Sequence, residues 1–138
     1  MNLTSTSRYS IRILSYMALQ DERLISAKHL VEQLHISDKY LRGLMTKLVK
    51  RGLVKSIQGR EGGYEIDKPY KDLYLFEIIS AVEDISKYTG CVLGFEECSN
   101  ENPCALHDRW NDIKTDTVQF LKTTTLADIV KDKHIMKF

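Results

Sequence analysis

All three cysteines of this chain fall in one stretch, CVLGFEECSNENPCALH, which runs from Cys91 through Cys98 and Cys104 to His107. Six residues separate the first two cysteines, five separate the next two, and His107 follows the last by three. The stretch has no Lys or Arg but carries Glu96, Glu97, Glu101 and Pro103. Buried structural thiols do not gather in a polar loop of this kind. Thiolates are soft donors that suit iron–sulfur clusters. Three thiolates and one imidazole also suit a tetrahedral structural zinc site, although gaps of six and five are wider than usual finger spacing. By spacing alone, both metals stay open. An imidazole ligand would raise the potential of a cluster and make its binding pH-dependent.

The elements on either side must position these donors. After the stretch, Leu106, Trp110, Ile113, Thr117 and Phe120 recur at steps of four, three, four and three. That seam predicts a helix from Ala105 to about Lys122. It also makes Cys104 and His107 neighbours at a helix start. A long helix with a Trp-bearing stripe needs a partner surface, and a second copy of the chain is favoured over packing within one copy. Before the stretch, Leu75, Ile78, Ile79 and Val82 predict a helix from Asp72 or Leu73 to Asp84, with residues 85–90 leading into the cysteines. A short helix is expected over residues 125–130, and the basic tail beyond it is expected to fray.

The N-terminal half reads differently. Residues from about Ser7 to Gln20 form a well-buried helix, and Ala27 to Leu34 a short one capped by Ser26. Ser37 caps a further helix that runs to about Lys50. Its inner stripe holds Leu41, Leu44 or Met45, and Leu48, while Lys39, Arg42, Gly43, Thr46 and Lys50 share the opposite face. Two short helices joined by a tight connection, the second with a cationic outer face, make a helix-turn-helix pattern. Leu53 to Ile57 and Tyr64 to Ile66 then read as the strands of a hairpin, with a glycine-rich tip carrying Arg60. A hairpin in that place is a wing, and its arginine can reach DNA phosphates or the minor groove.

With 138 residues and 43% hydrophobic content, the chain can bury a core without disulfides. The net charge is only +1, yet from Ser26 to Arg60 eight basic residues face two acidic ones. Such asymmetry points to a basic footprint on one face. The odd cysteine count argues against a secreted disulfide framework. No apolar run is long enough to span a bilayer, and the first residues lack the apolar core of a signal peptide. The expected location is therefore cytoplasmic, with no membrane partner. Nucleophile–base motifs, a phosphate loop and paired carboxylates in an evident pocket are all missing, so an enzyme is not expected. The expected fold class is mainly α with a small β-hairpin, a winged helix-turn-helix plus a long dimerisation helix. Residues 1–84 would form the DNA-binding domain, and 85–138 the cysteine-loop and dimerisation region.

These features together resemble the Rrf2 family of bacterial transcription regulators. The resemblance is carried by LTSTSRYSIRIL at 3–14, ISDKYLRGLMTKLVKRGLVKSIQGREGGYEI at 36–66, FEIISAVE at 76–83, the three-cysteine stretch, and TTLADIV at 124–130. It implies a homodimer on double-stranded operator DNA, controlled by an iron–sulfur cluster. Cys91, Cys98, Cys104 and His107 would hold that cluster as in the family's cluster-assembly regulators, with [2Fe-2S] favoured and [4Fe-4S] possible. The first cysteine gap is one residue longer than in that subgroup, and members that sense nitric oxide or iron vary this gap. The alternative is a regulator without a cluster, stabilised by zinc or working through its thiols. DNA contacts are expected from Ser37, Lys39, Tyr40, Arg42, Lys47, Lys50, Gln58, Arg60 and Gly62. Lys39 and Tyr40 match positions that touch DNA in relatives. Arg42 and Gly43 replace other residues there, and Gln58 stands where members commonly carry Arg. Dimer contacts are expected from Leu106, Trp110, Ile113, Thr117 and Phe120.

Overall fold

In the computed structural model, residues 1–131 are described; the basic tail, 132–138, lies outside them. The chain opens with helix α1, Ser5–Leu19, two residues earlier than its apolar pattern suggested. Thr4 accounts for the difference, because its side-chain oxygen accepts from the Ser7 amide and caps the first turn. Such a cap contributes about 1 kcal/mol. Helices α2, Ala27–Leu34, and α3, Asp38–Lys50, begin at the expected caps, Ser26 and Ser37. The turn between them is set by His35, whose backbone is left-handed at φ 54°.

The wing is strand β1, Val54–Ile57, paired antiparallel with β2, Gly63–Ile66, with Val54 opposite Ile66 and Ile57 opposite Gly63. One further residue joins it. Ile25 exchanges two backbone hydrogen bonds with Tyr64, at 2.9 and 2.8 Å, and so ties the wing to the start of α2. Gly63 permits this approach, since a Cβ there would lie 2.3 Å from the Ile25 carbonyl oxygen.

Beyond the wing the structure departs from the expected helix. A 3-10 turn at Tyr70–Asp72 comes first, and helix α4 spans only Leu75–Val82. Leu73 and Tyr74 are extended because they pair with the returning C-terminal chain. The Leu126 amide donates to the Leu73 carbonyl at 2.8 Å, and the Leu75 amide donates to Thr124 at 3.0 Å. Residues 85–90, read as a plain lead-in, contain the short helix α5, Ser86–Thr89. Helix α6 runs His107–Thr123 rather than from Ala105, and α7 spans Leu126–Ile129. The late start of α6 follows from a turn closed by the His107 amide on the Cys104 carbonyl at 3.0 Å. Regular helical bonding begins with Trp110 on Leu106 at 2.9 Å.

One hydrophobic cluster serves the whole molecule. It joins Ile13, Leu14 and Met17 of α1, Leu30 and Leu34 of α2, and Leu41, Met45 and Leu48 of α3 to Ile78 and Ile79 of α4. Tyr88, Leu121 and Leu126 belong to the same cluster, so the C-terminal region closes the core of the N-terminal one. Each such side chain stabilises by about 1.5–3 kcal/mol when fully buried. The result is a mostly helical molecule with a two-stranded wing. Among the described residues, no helix is long and apolar enough to cross a membrane.

Candidate metal centre and nucleic-acid interface

The cysteine segment leaves α5 at Gly90 and rejoins regular structure at α6. Its four expected donors are drawn together as two pairs. The sulfurs of Cys91 and Cys104 are 3.7 Å apart, and the Cys98 sulfur is 3.8 Å from His107 Nδ1. All three thiols are half-buried and free, while His107 is buried. On a four-coordinate metal with bonds of about 2.0–2.3 Å, two thiolates lie about 3.8 Å apart, and a thiolate and an imidazole about 3.6 Å. Each pair therefore has the spacing of two ligands on one metal atom. Among the described residues, no three Cys, His, Asp or Glu side chains converge on a single point.

The surroundings suit thiolate and imidazole ligation. His107 Nε2 is 2.8 Å from Asn100 Oδ1. An amide oxygen only accepts, so Nε2 is the nitrogen that donates to Asn100, and Nδ1 is the one turned toward Cys98. Lys114 Nζ donates to the Cys98 sulfur at 3.3 Å. The Cys91 thiol is held below its usual range by the backbone amide of Phe95, against some desolvation, with further help from Leu93, Cys104 and Gly94. Neither Asn100 nor Lys114 was singled out in the sequence. Lys114 follows His107 by two helical turns and so shares its face, a signal that was available. Nothing in the sequence marked Asn100, whose approach depends on the loop conformation.

The residues expected to face DNA sort into two groups. Lys39, Lys47, Lys50 and Arg60 are exposed, and among the described residues none of them is in an ion pair. Arg42, Thr46, Gln58, Arg60 and Gly62 line a groove of about 560 Å³ between α3 and the wing. This is the shape expected where a recognition helix and a wing straddle DNA. Other expected contacts have work within the fold. The Ser37 hydroxyl caps α3 by accepting from the Tyr40 amide at 3.1 Å. The Tyr40 ring packs edge-on against Tyr9, with centroids 5.7 Å apart. Arg42 Nε binds Asp38 at 2.8 Å, an exposed helical pair that DNA phosphate can displace. Gln58 donates to Ser56 at 3.2 Å. Gly62 is required by the wing turn itself, since a Cβ there would meet the Ile57 carbonyl oxygen at 2.0 Å. Lys55, counted in the basic footprint, faces Glu65 and Asp67, each at 3.7 Å.

On α6, the seam divides as well. Leu106, Ile113 and Phe120 are exposed by 43%, 57% and 48%, a large apolar stripe left open on one chain. Trp110 is instead half-buried, and its indole N–H donates to the Gly90 carbonyl at 2.8 Å. Thr117 is half-buried, with its hydroxyl bonded to the Ile113 carbonyl.

A wing tied to a three-helix core, with free cations on the second helix of a helix-turn-helix, defines a winged-helix DNA-binding protein. A model of the Rrf2 family, described as an iron-dependent transcriptional regulator, matches residues 3–132, and the chain belongs to that family of transcriptional regulators. It is 33% identical over 137 residues to the HTH-type transcriptional regulator IscR of Pectobacterium atrosepticum, covering 99% of this chain and 83% of that one. Among solved structures it resembles CymR, the global cysteine regulator of B. subtilis, at a TM-score of 0.76 and 26% identity over 95% of this chain and 97% of the other. T. potens IscR is similar at a TM-score of 0.75 and 26% identity, covering 100% and 93%. The family's members are regulators rather than enzymes.

Proposed function

We propose that the chain is a homodimeric regulator of operator DNA, controlled by an iron–sulfur cluster that Cys91, Cys98, Cys104 and His107 would hold. The observation that carries this reading is the division of the donors into two pairs, Cys91 with Cys104 and Cys98 with His107. A single zinc ion asks for all four donors around one point. A [2Fe-2S] centre asks for two ligands on each of two irons. The likeness to IscR supports the same choice. When bound, the group would supply reversible one-electron chemistry and sensitivity to oxidants or nitric oxide.

The protein's own part is to convert ligation into shape. The four donors straddle the segment between α5 and α6, so engaging or releasing them orders or frees that segment. Trp110 links the state of the segment to α6, whose open stripe of Leu106, Ile113 and Phe120 would pack on a second copy. The setting of two protomers fixes the separation of their α3 helices, and with it the fit to a two-fold operator. Lys39, Lys47, Lys50 and Arg60 supply salt-dependent phosphate affinity, and Lys39, Tyr40 and Arg42 reach base edges.

The test is anaerobic purification followed by a visible spectrum and iron, sulfide and zinc analysis of the wild type and Cys98→Ala. Coloured protein with matched iron and sulfide, lost in the variant, upholds the reading. Colourless protein with one zinc per chain, or with no metal, sinks it. The second outcome would favour a thiol-based regulator, for which the 3.7 Å approach of Cys91 and Cys104 gives a reactive dithiol.

A further inference from the structure

The Cys98–His107 pair is served by two side chains that the ligand set leaves out. Asn100 lies on the loop and accepts from His107 Nε2 at 2.8 Å. Lys114 lies on α6 and donates to the Cys98 sulfur at 3.3 Å. No carboxylate among the described residues pairs with Lys114, so the thiol is the partner its ammonium has. Among the described residues, the Cys91–Cys104 pair has no side-chain cation of this kind. Its Cys91 thiol faces backbone amides from residues 93–95. The two halves of the site are therefore electrostatically unequal.

We propose that Asn100 and Lys114 are positioning residues for the Cys98–His107 half of the centre. Asn100 fixes the imidazole tautomer that leaves Nδ1 free to ligate, and Lys114 sets a permanent positive charge against the Cys98 sulfur. This rests on the iron–sulfur reading above. Outer partners of metal-bound histidines orient the ring and raise its basicity, and their loss weakens metal binding by about 10–100-fold. One-electron reduction adds a negative charge to the centre, and a cation 3.3 Å from one ligand sulfur favours the reduced form. The location of Lys114 on α6 rather than on the loop has a consequence. The helix bearing the open apolar stripe would then meet the centre through two side chains, His107 in its first turn and Lys114 two turns further on.

Four variants test this in anaerobically prepared full-length protein: Lys114→Met, Lys114→Arg, Asn100→Ala and Asn100→Asp. The midpoint potential is measured by dithionite titration, and the histidine nitrogen coupling by pulsed electron paramagnetic resonance of the reduced protein. Lys114→Met is expected to lower the potential and Lys114→Arg to stay with the wild type. Asn100→Ala is expected to lose or change the nitrogen coupling, and Asn100→Asp, which keeps an acceptor, to retain it. If Lys114→Met assembles no centre while Lys114→Arg does, the need for the charge is upheld. Equal shifts or equal failure in both Lys114 variants would mean that the side chain acts by packing, and would overturn the proposal. So would an unchanged potential in Lys114→Met, or an unchanged nitrogen signal in Asn100→Ala. A wild type without iron and sulfide overturns the iron–sulfur reading before any variant is made, which separates that failure from this one.

Discussion

The indole N–H of Trp110 donates to the carbonyl of Gly90 at 2.8 Å, across twenty residues of sequence. Gly90 is the residue before the first cysteine, and Trp110 lies in the first turn of α6. One hydrogen bond thus closes the cysteine segment at its base, where the sequence pattern alone assigned Trp110 to a partner-facing seam.

Trp110→Phe keeps most of the aromatic bulk and removes the donor. The expected cost is about 0.5–1.5 kcal/mol in stability, with a further penalty if the Gly90 carbonyl stays dry. Urea unfolding of the apo protein checks it. A variant as stable as the wild type, with unchanged metal retention against a chelator, would show that the clasp does not matter.

At the DNA face, Arg60→Ala and Lys50→Ala should each weaken operator binding. Each should also reduce the steepness of log K against log salt by about one phosphate contact. Filter binding at several salt concentrations measures this. An Arg60→Ala slope equal to that of the wild type would remove the wing from the interface.

Ile113→Glu and Phe120→Glu place charges on the open stripe of α6, where each native side chain is about half exposed on a single chain. If a second copy covers that stripe, both variants should sediment as folded monomers and lose tight binding to a two-fold operator. Wild-type protein that sediments as a monomer would refute the assignment outright.

Glu83 carries a pH prediction. It is the extended residue after α4, and its carboxylate accepts from the Ser7 hydroxyl and, at 2.9 Å, from Tyr88. Desolvation pushes its pKa up, but the hydrogen bonds from Ser7, Tyr88 and Thr4, with Lys87 nearby, outweigh this and hold it below 4.5. A carboxylate with a depressed folded-state pKa adds stability that is present above its unfolded value and is lost as pH falls through the folded value. Stability should therefore drop as pH falls below about 4.5. In Glu83→Gln that part of the drop should vanish, along with about 1.5–3 kcal/mol at neutral pH. The same acid slope in both proteins would assign the pH dependence elsewhere.

Gly63→Ala tests the attachment of the wing. The added Cβ would lie 2.3 Å from the Ile25 carbonyl oxygen, a backbone atom that cannot swing away. A loss of about 1–3 kcal/mol is expected, with hydrogen-exchange protection falling first at the Ile25 and Tyr64 amides. Unchanged protection there would mean the wing accommodates the substitution by sliding.

Local chemistry explains which of these features were legible in the sequence. Ser26 and Ser37 mark their helices because a cap is a contact between near neighbours. The wing strands and the gathering of the three cysteines with His107 were likewise written in short spacings. Long-range pairings were not. The extended stretch at Leu73 and Tyr74 exists because residues 124–126 return to it, and nothing near position 73 announces that. Asn100 escaped notice for a different reason: its approach to His107, seven residues on, depends on an irregular loop conformation that no short spacing encodes. Arg42 was read only as part of the cationic outer face, and its pairing with Asp38 one turn earlier was not foreseen.

The clasp between Gly90 and Trp110 also bears on how the cysteine segment can diversify. With its two ends bonded to each other, the segment between them behaves as a plug-in cassette on a fixed socket. Residues added or removed in its exposed stretch from Val92 to Phe95 leave the bond between Gly90 and Trp110 outside the change. The entropic cost of lengthening a closed loop by one residue is small, well under about 0.6 kcal/mol. A cassette of this kind lets the spacing of its cysteines change while α6 and the wing stay in register.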